Sequence, residues 1–150
     1  MDTVTYPESS VISFISDHMI PLRVRYDAQP TAGDFNVKWT PTIVTLDYDG
    51  KEHHRTVGFL KADEFMASML LGIAKIDFDH DQFNGALENL KNLLSDFPST
   101  RSAPEGIYLQ GVTLYKQSND AGFLKKAYEQ LTDEFPNDEW TQRAYPYRLL

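Results

Sequence analysis

The spacing of apolar residues changes once along the chain, near residue 60. Before that point apolar positions come in short runs separated by turn residues. Ser9 to Met19 sets Val11, Ile12, Phe14 and Ile15 on one stripe, which predicts an opening helix capped by Ser9 or Ser10. Ile20-Pro21-Leu22-Arg23-Val24-Arg25-Tyr26 alternates and predicts a strand ending in Asp27. Thr42 to Asp47 predicts an almost wholly apolar strand, with Lys51 to Gly58 as its hairpin partner across Asp49-Gly50. Beyond residue 60 the strands stop. Lys61 to Phe78, Asp81 to Phe97, Ala103 to Gln117 and Gly122 to Phe135 carry helical spacing, and Pro98, Pro104 and Pro136 mark their boundaries. The first half therefore reads as α/β and the second as all helix.

The helical half repeats itself. Leu93, Phe97 and Pro98 of Leu-Leu-Ser-Asp-Phe-Pro-Ser recur 38 residues later as Leu131, Phe135 and Pro136 of Leu-Thr-Asp-Glu-Phe-Pro-Asn. Leu71-Gly72 ahead of Ala86, and Leu109 with Gly111 ahead of Ala127, supply small residues at which antiparallel helices can approach closely. Over roughly residues 65 to 145 this pattern resembles tetratricopeptide (TPR) repeats, whose period is about 34 residues. The closing Phe-Pro resembles the variety found in bacterial envelope and assembly proteins. The resemblance implies stacked helical hairpins that present a concave face to a protein or peptide partner.

The α/β half carries a second resemblance. Phe35-Asn36-Val37-Lys38-Trp39-Thr40-Pro41-Thr42-Ile43-Val44-Thr45-Leu46-Asp47-Tyr48-Asp49-Gly50-Lys51-Glu52, followed by Val57-Gly58-Phe59-Leu60, resembles the second half of a thioredoxin fold. Across residues 9 to 75 the order of features agrees: helix, strand, short helical link, Thr-Pro-Thr, apolar strand, Asp-Gly hairpin, Gly-Phe exit and final helix. The fold class this implies is an incomplete thioredoxin-like α/β domain of about three strands over residues 1–64, followed by an all-α TPR-like domain over residues 65–150. It also implies a cis peptide bond before Pro41, and a peptide-binding edge formed by Trp39, Thr40 and Pro41, where an extended chain adds as a strand. The family's chemistry rests on a Cys-x-x-Cys at the head of the first helix. This chain has no cysteine, and Met1 to Glu8 are too few for both the first strand and its loop. Val4-Thr5-Tyr6-Pro7 resembles the stretch after the Cys pair in some bacterial thioredoxin-like proteins. Either Met1 is an internal start within a longer protein, or the chain is a degenerate, redox-inactive relative.

Composition narrows the function classes. In 150 residues, 22 acids against 14 bases give a net charge of −8 without any basic cluster, so nucleic acid and anionic membranes are excluded as partners by repulsion. The longest apolar runs, such as Met69 to Ala74, fall far short of a membrane span, and Met1-Asp2-Thr3 lacks the character of a signal peptide. A soluble chain, cytoplasmic by default, is the expectation. The absence of thiols removes disulfide exchange and Cys-ligated metals.

Other chemistry is weakly patterned. Asp77, Asp79, Asp81 and Glu88 have the spacing of a calcium loop, but Gln82 stands where the sharp turn needs glycine. Asp81 reads better as the cap of the following helix. His53 and His54 are adjacent on a strand, so alternation predicts opposite faces and no shared metal. His18 reads as a helix-end residue, and Trp39, Trp140 and Tyr108, Tyr115, Tyr128, Tyr145 and Tyr147 mostly as packing residues. No catalytic residue, cofactor or metal is therefore expected. Two functions stand: a protein- or peptide-binding module, or the carboxyl-terminal portion of a thiol-disulfide oxidoreductase whose Cys pair lies upstream. The strands at 20–26 and 42–47 would both flank the missing first strand, and a homodimer is the expected way of closing that gap.

Overall fold

A computed structural model describes residues 1–150. The chain folds into α1 (Ser9–His18), a single-turn α2 (Thr31–Asp34), strands β1 (Thr42–Leu46) and β2 (Glu52–Val57), then helices α3 (Ala62–Asp79), α4 (Phe83–Asp96), α5 (Ala103–Ser118), α6 (Gly122–Glu134) and α7 (Glu139–Ala144), and a closing 3-10 turn at Tyr145–Leu149. It is a mostly helical protein with one small antiparallel sheet, in the order mixed α/β followed by helices.

Helix α3 is the hub. Ala62, Phe65, Met66, Ala67, Met69, Leu70, Leu71 and Ala74 are all buried, so the helix is apolar nearly all round, as a helix covered on several sides must be. One side takes Val11 of α1 together with Leu60, Phe65, Met66 and Met69. The other joins Leu90 and Leu93 of α4 to Ala103 of α5. A further core, Ile107, Ala127, Leu131 and Ala144, closes α5 on α6 and α7. The internal repeat is geometric as well as sequential. The amide of Phe97 donates to Leu93 O at 2.9 Å and that of Phe135 to Leu131 O at 2.8 Å, with nearly the same backbone angles at the two phenylalanines.

The small residues divide their roles differently from the sequence expectation. A methyl on Gly111 would meet Ala127 Cβ at 2.5 Å, so α5 and α6 do approach there. At Gly72 the close neighbour is the Thr45 side chain of β1, and α3 therefore uses its glycine to seat the sheet rather than α4.

Three further expectations are corrected. Ile20 to Tyr26 is no strand: the segment pairs with no strand, enters a turn at Tyr26 and leaves Ile20 97% exposed, and the sheet holds two strands instead of about three. Alternation alone makes a segment fit a pleated surface, but a strand exists only where a neighbour takes its backbone groups. The helix α1 is capped at Glu8 without a side-chain bond, not by Ser9 or Ser10. Asp81 does not cap α4 either; it takes a left-handed conformation at φ 57 in the turn, and Gln82 occupies the cap position. No helix is long and apolar enough to cross a membrane.

Candidate functional site

Two features of the hairpin stand out, one at each end of β1. At its start the Thr40–Pro41 peptide is cis, as is Gln29–Pro30. Trp39 precedes it and is 75% exposed, so this tryptophan is a surface residue and not a packing one. Thr42 Oγ1 donates to Trp39 O at 2.6 Å and fixes the approach to the strand. Pairing runs Thr42 to Val57, Ile43 to Thr56, Val44 to Arg55 and Thr45 to His54. Gly58 N donates to Pro41 O at 2.8 Å, and Asp47 N to Lys51 O at 3.0 Å. Backbone groups alternate sides along a strand, so Ile43 and Thr45 also turn toward β2, and the backbone groups of Thr42, Val44 and Leu46 turn outward. That edge has no neighbouring strand.

The second feature lies at the hairpin tip. Asp47 Oδ1 accepts the amides of Asp49 at 3.0 Å and Lys51 at 2.9 Å, which closes the turn in which Gly50 takes a positive φ of 80. Its other oxygen, Oδ2, accepts from His53 Nε2 at 2.8 Å and lies 3.4 Å from His80 Nε2, just past the end of α3. The His53 bond, helped by the two amides, holds the Asp47 carboxyl down at about 2. On its far side His53 Nδ1 reaches Asp79 Oδ2 at 2.7 Å. The His53 side chain is 0% exposed and that of Asp47 2%, while His80 keeps 23% and opens the cluster to solvent. These three residues offer ligand atoms within 4.8 Å of one another.

Strict alternation, which set His53 and His54 on opposite faces, fails here for a local reason. The register slips between Thr45 and Leu46, where β2 carries one residue more than β1. Such a bulge re-aims side chains, and both histidines face α3: His53 toward Asp79, and His54 toward Ser68 Oγ at 3.0 Å and Lys75 Nζ at 3.2 Å. Burial, with the Lys75 charge adding to it, lowers His54 to about 4. The Ser68 hydroxyl beside it is not a nucleophile site. Ser68 is 3% exposed, on the side of α3 that packs against β2, with Thr56 Oγ1 2.7 Å away.

The remaining sequence candidates disperse. Asp77 accepts from Asn89 at 3.0 Å while Asp79 serves His53, so the acids of the calcium-like loop turn to different partners. His18 folds its ring back on α1, stacked on Phe14. Tyr108, Trp140 and Tyr147 pack together around the last core, with the Tyr108 and Tyr147 hydroxyls 2.9 Å apart. No protein-family model, curated protein or solved structure matches the chain.

Proposed function

We propose that the chain is a redox-inactive binding module, thioredoxin-like in its first half and TPR-like in its helices, that holds an extended protein or peptide segment. The observation that carries this reading is the unpaired edge of β1, entered through Trp39, Thr40 and Pro41. Outward backbone donors and acceptors at Thr42, Val44 and Leu46 supply main-chain affinity for an added strand, and exposed Trp39 supplies apolar area beside it. Ile20, Leu22, Val24 and Tyr26, all exposed, extend the apolar character of the same half. The TPR-like helices support the strand's platform through α3.

The test is a phage-displayed library of random dodecapeptides panned on the folded chain, followed by amide chemical shifts. Enriched peptides are expected to move Trp39 through Leu46. The variant Val44→Pro removes one outward donor and leaves the β1–β2 bonds intact, a substitution edge strands tolerate. It is expected to lose the binding while keeping its circular dichroism. Peptides that bind the variant equally well would overturn the reading.

The unpaired edge also favours a second reading, in which the chain is the carboxyl-terminal portion of a bacterial thiol-disulfide oxidoreductase. An upstream strand would then complete the sheet and an upstream Cys-x-x-Cys would carry the chemistry. An in-frame Cys-x-x-Cys after an apolar strand in the genomic sequence before Met1 decides for it, and a stop codon there decides against it.

A further inference from the structure

We propose that Asp47, His53 and His80 form a binding site for one Zn2+ ion, which ties the tip of the β1–β2 hairpin to the carboxyl end of α3. Three arrangements carry this. First, the donor set is two imidazole nitrogens and one carboxylate oxygen. That set suits a borderline transition ion rather than Mg2+ or Ca2+, which take oxygens in greater number. Three protein ligands leave a fourth position for water, and the partly exposed His80 places that position on the solvent side.

Second, the two separations from Asp47 Oδ2 are already close to tetrahedral spacing. Bonds of about 2.0–2.1 Å at a tetrahedral angle put neighbouring ligand atoms about 3.3 Å apart. Asp47 Oδ2 and His80 Nε2 lie 3.4 Å apart, while Asp47 Oδ2 and His53 Nε2 are 2.8 Å apart. The Asp47–His53 separation must open by about half an ångström, as the ion replaces the proton of that hydrogen bond, and the two imidazole nitrogens lie within 4.8 Å of one another.

Third, the surrounding groups orient the ligands as metal sites do. Asp79 accepts the Nδ1 proton of His53 at 2.7 Å, so displacing the proton that Nε2 donates to Asp47 is what frees the Nε2 lone pair for the ion. The Asp49 and Lys51 amides occupy Asp47 Oδ1 and leave Oδ2 for the ion. Lys51 Nζ is 4.0 Å from Asp79 Oδ2, on the outer carboxylate and not among the ligand atoms. In the metal-free chain the same atoms form a hydrogen-bonded chain that runs from the partly exposed Asp79 through buried His53 to buried Asp47. The ion would take over the task of that chain and add His80 to it.

The experiment is titration of the full chain with Zn2+ by calorimetry at neutral pH, with Co2+ absorption as a second probe and circular dichroism to verify folding. One Zn2+ per chain is expected, together with a visible Co2+ band of tetrahedral intensity. His80→Ala, whose side chain is partly exposed, is expected to stay folded and to lose at least about tenfold in affinity. Asp79→Ala removes a positioning residue and is expected to weaken binding by about 10- to 100-fold while the Co2+ band keeps its intensity. His18→Ala, away from the cluster on α1, is expected to bind as the unmodified chain does. A folded chain that takes up no Zn2+, or an affinity unchanged by His80→Ala, would overturn the proposal.

Discussion

His54 shows how one side chain reports on its surroundings. Its ring is held between Ser68 and Lys75, and the Lys75 ammonium is itself paired with Glu105 across to α5. Burial first, then the neighbouring cation, lower it from 6.5 to about 4. The unfolded chain therefore binds a proton at this residue below about pH 6.5, the folded chain only below about pH 4. Within that window the unfolded state carries more protons, so stability rises with pH and is lost on acidification. The loss attributable to His54 is at most about 3 kcal/mol. Urea unfolding of the unmodified chain and of His54→Gln between neutral pH and pH 4 should give curves that converge as pH falls. Parallel curves would show that this histidine titrates normally.

At the scale of elements, the contact between α5 and α6 sets two effects against each other. Alanine is a better helix former than glycine by about 1 kcal/mol, so Gly111→Ala should stabilise an isolated α5. In the folded protein the new methyl would sit 2.5 Å from Ala127 Cβ and 3.1 Å from the Phe123 carbonyl, neither of which can rotate away. Overpacking of that kind costs about 1–3 kcal/mol, and a lower urea midpoint is the expected outcome. Gly106→Ala is the contrast. Its nearest neighbour is the tip of the buried Leu93 side chain at 3.0 Å, which need give by only a few tenths of an ångström, so the propensity gain should offset the contact. Equal midpoints for the two variants would show that this interface is soft.

The same scale explains what the sequence discloses. Helices α3 to α6 lie within one or two residues of their predicted limits because each carries its own period and its own stop, down to the two Phe-Pro endings. The hairpin was legible from Asp49-Gly50 for the same reason. The segment 20–26 misleads because its alternation is local while strand pairing is not. The Asp47, His53 and His80 cluster was hidden more deeply. Its members come from a turn, a bulged strand and the end of a helix, and only the one-residue slip opposite Thr45 brings His53 round to face α3.

For the whole molecule, the distribution of burial is uneven in a way that bears on association. The cores lie around α3 and along α4 to α7, whereas Ile20, Leu22, Tyr26, Trp39 and Tyr48 of the first half are exposed and the β1 edge has no neighbouring strand. A two-stranded sheet is marginal by itself, and an edge with apolar neighbours tends to recruit a strand. Hydrogen exchange can read this directly. In dilute solution the amides of α3 to α6 should be the slowest, residues 20–41 the fastest, and β1 should alternate. Ile43 and Thr45, turned toward β2, should exchange more slowly than Val44 and Leu46. Raising the protein concentration is expected to slow Val44 and Leu46 selectively, with light scattering moving toward the mass of a dimer, as a second copy adds along β1. Unchanged exchange at those two amides with a constant monomer mass would show that the edge stays free, which is the state in which a peptide partner would find it.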